Sequence, residues 1–117
     1  MTDYKWEPIC KELEREKVPG LTVTVEDDYI YVEWNRQCVE SNEDGWFNHF
    51  LGFMHIVWAM EKAGIAFFSR TYVFQGGPTW QAHKDGADIA HAHSLEHDGD
   101  EAATGLTCVL KALEARQ

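Results

Sequence analysis

The densest run of hydrophobic positions lies between residues 44 and 64, DGWFNHFLGFMHIVWAMEKAG. There Trp46, Phe47, Phe50, Leu51, Phe53, Met54, Ile56, Val57, Trp58 and Met60 wrap most of the way round a helix. A surface helix shows a narrower apolar stripe, so this element is expected to be the centre of the fold and to be covered on more than one side. Ser41 to Asp44 offers a capping pattern before it, and Gly64 a left-handed stop after it. Asn48, His49, Gly52 and His55 interrupt the run and leave it too short to cross a bilayer.

On either side the periodicity changes. Residues 5–17 place Trp6, Ile9, Cys10 and Leu13 at helical spacing, with Pro8 tolerable in the first turn and Pro19-Gly20 closing the segment. Leu21, Val23 and Val25 alternate with threonines, and YIYVEW (29–34) follows after Glu26-Asp27-Asp28, which predicts an antiparallel hairpin. Residues 35–43 read as a loop. IAFFSRTYVF (65–74) is apolar on both alternating faces, as an interior strand covered on both sides would be. Gln75 to Pro78 reads as a turn. Segments 79–84 and 87–95 flank Asp85-Gly86 as a further hairpin. Asp98 and Glu101 form a capping box for a last helix whose stripe is Ala102, Leu106, Val109, Leu110 and Leu113. The expected order is α-β-β-α-β-β-β-α over 1–117: a single α+β domain, a sandwich with a mostly antiparallel sheet and helices packed on it. The 44–64 helix needs cover beyond that sheet, from the two terminal helices or from a partner chain.

Charge narrows the function. Twenty acidic residues stand against 10 basic ones, a formal net of −10, and such a surface repels phosphate backbones. Direct nucleic-acid binding is therefore not expected. The acids gather in two stretches. Glu26, Asp27, Asp28, Glu33, Glu40, Glu43 and Asp44 face only Arg36 between positions 18 and 60, and Glu96, Asp98, Asp100 and Glu101 lie in a stretch without Lys or Arg. These residues are the expected partner-binding surface. Cys10, Cys38 and Cys108 are odd in number and lack CxxC spacing, and no hydrophobic leader follows Met1. A reducing, cytoplasmic setting is expected, with Cys10 and Cys108 acting as small core hydrophobes.

Candidate chemistry centres on HAHSLEH (91–97). His91 and His93 project to one face of a strand at a spacing that suits two metal ligands, with His97 or Asp98 available as a third. His83 on the preceding strand joins them if the register brings it to the same face. The simpler reading, exposed polar residues, is preferred, so no metal or other cofactor is expected. His49 and His55 are read as packed and hydrogen-bonded. No phosphate loop, nucleophile elbow, HExxH pair or Cys-His signature occurs, and catalysis is not expected.

From Thr79-Trp80-Gln81-Ala82 to EAATGLTCVLKALEA, the C-terminal third resembles the tail of small phage-encoded α/β sandwich proteins. The β-β-β-α order is also similar to that of double-stranded RNA-binding domains, but Asp98, Asp100 and Glu101 stand where those domains carry lysines. The phage resemblance implies an accessory protein that binds a host protein or complex in the host cytoplasm. In size and charge the chain resembles anti-CRISPR inhibitors, which implies occupation of a nucleic-acid-binding surface. The alternatives are a small metal-binding enzyme at His91 and His93, or a homodimer that buries the aromatic helix.

Overall fold

The computed structural model describes residues 4–73 and 77–116. Three helices and six strands run in the order α1 (Trp6–Glu16), β1 (Leu21–Glu26), β2 (Tyr29–Trp34), β3 (Gln37–Ser41), α2 (His49–Lys62), β4 (Phe67–Val73), β5 (Gly77–Lys84), β6 (Ala87–His93) and α3 (Glu101–Glu114). A short 3-10 helix, Ser94–His97, links β6 to α3. The α+β class is as expected, with one strand more than the sequence pattern indicates. After α1 the chain passes twice through the same sequence of parts, an antiparallel three-strand meander followed by a helix. The sheets are β1-β2-β3 and β4-β5-β6. Each meander carries a register shift between its second and third strands, at Val32/Glu33 and at Ala82/His83.

Turn chemistry accounts for the added strand. Asn35 and Arg36 both take positive φ, 55° and 68°, which is the two-residue hairpin turn whose twist matches the flanking strands. Residues 37–41 are therefore β3 rather than loop. In the other meander Asp85 (φ 52°) and Gly86 (φ 81°) form the corresponding turn. The expected 65–74 strand begins at Phe67 and lies at the edge of its sheet, not inside it, with Phe67 and Tyr72 exposed. The expected turn at 75–78 lies partly outside the described residues; Gly77 and Pro78 already belong to β5, paired with Val73 and Tyr72.

The centre of the molecule is α3, not α2. Ala102, Ala103, Thr104, Gly105, Leu106, Cys108, Val109, Ala112 and Leu113 are buried, and the helix packs against β5, β6, α1 and α2. Its small residues let neighbours approach closely. At Gly105 an added Cβ would collide with the Phe53 ring, so only glycine fits beneath it. Phe53 also meets Trp80 edge to face, with centroids 4.9 Å apart. Asp100 caps α3 by accepting from the N–H of Ala103 at 3.1 Å, the role expected of Asp98. Asn48 likewise caps α2 through the N–H of Leu51, and Ser41, expected in that cap, ends β3. Among the described residues no helix is long and apolar enough to cross a membrane.

Candidate functional site

Two surfaces remain once the core is accounted for. The first is the outward side of α2. Gly52, Phe53, Ile56, Val57, Ala59 and Met60 face inward and are buried. A helical turn of 100° per residue puts Phe50, Leu51, Met54, His55 and Trp58 on the opposite side. Trp58 is 48% exposed, Phe50 41% and Leu51 37%, and Trp46, just before the helix, is 69% exposed. The terminal helices cover only the inward side, so this face is apolar and open. His55 is held on it: its Nδ1 lies 2.9 Å from the carbonyl of Leu51, and its ring meets Trp58 edge to face at 5.0 Å.

Glu43 and Asp44 are exposed and precede this patch directly in the chain. They belong to an acidic tip formed where the β1–β2 turn meets the end of β3. Asn42 ties the two together, accepting from the N–H of Ile30 at 3.0 Å and donating to the carbonyl of Asp28. Glu26, Asp27 and Asp28 line a shallow depression there with Tyr29 and Asn42. Tyr29 stacks on Tyr31, with ring centroids 6.2 Å apart. The Tyr29 hydroxyl donates to Glu43 at 3.0 Å and that of Tyr31 to Glu33 at 2.9 Å. The bond to Glu33, with desolvation, pushes the Tyr31 hydroxyl up to about 12.

The remaining acids named from the sequence are placed otherwise. Glu40 sits on β3, and its charge acts on His49. Glu96 and Asp98 are exposed in and after the 3-10 helix. Asp100 is engaged as the α3 cap and as acceptor of the Tyr4 hydroxyl at 2.6 Å. Glu101 is bound by the Arg70 guanidinium and by the Trp80 indole N–H at 3.2 Å. Asp100 and Glu101 therefore fasten the start of α3 to the segment before α1, to β4 and to β5. The expected acidic surface resolves into the tip at 26–28 and 43–44 and the exposed pair Glu96 and Asp98.

The second surface is the outer face of the β4-β5-β6 sheet. Trp80, Ala82, Ala90 and Ala92 point into the core, so strand alternation sends Phe67, Ser69, Thr71, Thr79, Gln81, His83, Asp88, His91 and His93 to the other side. His91 and His93 do share this face, with ring centroids 5.4 Å apart. The Thr79 hydroxyl lies 3.1 Å from Nδ1 of His93. Among the described residues no three His, Cys, Asp or Glu side chains are grouped to hold a metal ion. His83 reaches the same face but is engaged elsewhere: Nε2 lies 2.7 Å from the Ser69 hydroxyl, and Nδ1 lies 2.6 Å from Oδ1 of Asp88. The three residues come from three strands, and no linear motif announces them. The His83–Asp88 contact depends on the register shift at Ala82/His83, which sets Asp88 opposite His83.

His49 is packed, as expected. Its Nδ1 accepts from the Trp6 indole N–H at 2.8 Å, and Tyr4 stacks on its ring at 3.7 Å. No protein-family model, curated protein or solved structure matches this chain.

Proposed function

We propose that this protein works by binding another protein: a small acidic accessory protein of a phage or mobile element that occupies a basic, nucleic-acid-binding surface of a host complex. One observation carries the reading. The outward face of α2 presents Phe50, Leu51 and Trp58 to solvent, Trp46 just before the helix is exposed too, and exposed Glu43 and Asp44 stand shortly before Trp46 in the chain. An apolar centre with large aromatic anchors and a charged margin is the anatomy of a recognition surface. A contiguous exposed aromatic patch is uncommon on a protein that acts alone. The acidic tip supplies the sign of charge that draws in a basic partner and speeds docking.

Gel filtration with purified bacterial nuclease–guide complexes tests the proposal. The wild-type protein is expected to co-elute with one of them. Joint Phe50→Ala and Trp58→Ala substitution should weaken the complex at least tenfold, and reversing Glu26, Asp27 and Asp28 to lysine should slow association and flatten its salt dependence. Binding indifferent to both sets of changes would remove this reading. Light scattering that showed a dimer dispersed by Trp58→Ala would assign the face to a second copy instead.

A further inference from the structure

The geometry points to an acyl-transfer site on the outer face of the β4-β5-β6 sheet, with Ser69 as nucleophile, His83 as general base and Asp88 as its positioning residue. It is independent of the α2 face and does not rest on the binding reading. The distances run in the required order: Ser69 Oγ to His83 Nε2 2.7 Å, and His83 Nδ1 to Asp88 Oδ1 2.6 Å. A carboxylate on Nδ1 fixes the tautomer that carries hydrogen there. Nε2 is left as the acceptor of the serine proton, and this division of roles defines a Ser-His-Asp relay on any fold. Thr79 lies near His93 on the same face, but the imidazole that also meets a carboxylate through its other nitrogen is His83, so the relay is assigned there.

The surroundings match the chemistry. Gln81 stands directly opposite Ser69 on the ladder and on the same face, which puts carboxamide N–H donors within side-chain reach of an oxyanion formed at Ser69. The alternation of an antiparallel edge turns the N–H groups of Phe68 and Arg70 away from β5. That of Phe68 is bound by Glu61 at 2.9 Å, and that of Arg70 follows the nucleophile directly. Phe67, opposite His83 and 51% exposed, offers apolar surface for a short acyl chain. His83 and Asp88 are reached by solvent, and the substrate class that fits is a carboxylic ester with a short acyl group.

Ser69 Oγ attacks the ester carbonyl as its proton passes to Nε2 of His83. The tetrahedral adduct then expels the alcohol, which takes that proton, and leaves an acyl-serine. Water attacks the acyl-serine with His83 again as base. The net change is ester plus water to carboxylic acid plus alcohol.

The test uses a fluorophosphonate probe and p-nitrophenyl acetate on the intact protein. Because exposed His91 and His93 can themselves attack an aryl acetate, the deciding readout is the modified residue, located by peptide mass spectrometry. The expected adduct is on Ser69. Labelling should disappear in Ser69→Ala, fall roughly 10²-fold or more in His83→Ala, and persist in Thr71→Ala. In Asp88→Asn the labelling should slow while the imidazole nitrogen NMR signals of His83 lose the Nδ1–H tautomer, a change that a merely structural role would not produce. Wild-type protein that leaves Ser69 unlabelled overturns the proposal, as does a Ser69 adduct whose rate ignores His83→Ala.

Discussion

The Phe53 ring of α2 rests on Gly105 of α3 with no space for a methyl group between them. Gly105→Ala ought to stabilise a helix by propensity, by about 1 kcal/mol. Here the overpacking cost of roughly 1–3 kcal/mol or more should prevail, because Phe53 is fully buried and also held by Trp80. Urea denaturation should show a net loss. Adding Phe53→Leu to Gly105→Ala should return part of it, so that the two changes are non-additive; simple additivity would mean that the two residues are not in forced contact.

The two sides of α2 should respond in opposite ways. Phe53→Ala removes a buried ring and should cost about 3–5 kcal/mol. Trp58→Ala and Phe50→Ala remove half-exposed rings and should move stability by about 0.5 kcal/mol or less. Thermal melts of the three variants check this. A large loss at Trp58 would place it in the core and withdraw it from the recognition surface.

Acid should loosen the convergence of Tyr4, Trp6 and His49. Burial holds the His49 imidazole below its ordinary value of 6.5, against the opposing pull of Asp100 and Glu40. Its Nδ1 accepts from the Trp6 indole, which a protonated ring cannot do. Between the two values the unfolded chain binds the proton that the folded chain resists. The contribution is therefore complete above pH 6.5 and declines as pH falls below it. Stability measured at pH 7.5 and 5.5 should drop toward acid in the wild type and drop less in His49→Phe; equal slopes would contradict the assignment.

Thiol accessibility gives a fourth check. Burial pushes Cys108 up to about 12. Cys10 is raised by burial and by Glu14, and its thiol donates to the carbonyl of Val23 at 2.8 Å. Cys38 is exposed. At pH 8 iodoacetamide should modify Cys38 alone in the native protein and all three thiols in denaturant. Rapid native labelling of Cys108 would contradict the packing of α3.

Much of this architecture was legible because its strands are joined by local turns. Alternation in LTVTV and YIYVEW, and Asp85-Gly86 between two apolar runs, specify hairpins that the structure contains. β3 escaped because in QCVES only Val39 packs against the core and its neighbour Cys38 is exposed, so this edge strand with a bulge shows no alternation; the Asn35-Arg36 turn was the available signal. Ranking the helices by aromatic content misplaced the core. Aromatic rings make a helix apolar, but small residues decide how deeply it can sit, and Ala102, Ala103, Gly105 and Ala112 put α3 there. The Ser69–His83–Asp88 relay had no linear signature, since it exists only through cross-strand register.

Each strand bonds only to the strands next to it in sequence, which bears on how the molecule is made. As the polypeptide emerges from the ribosome, each ribbon can zip shut from residues already present, without waiting for distant segments. The exception is the helix that begins at Glu101, which follows both ribbons in the chain and on which α1, α2, β5 and β6 converge. A nascent chain stalled before it would hold both ribbons yet lack its keystone, so commitment to the finished shape waits until that helix has been translated.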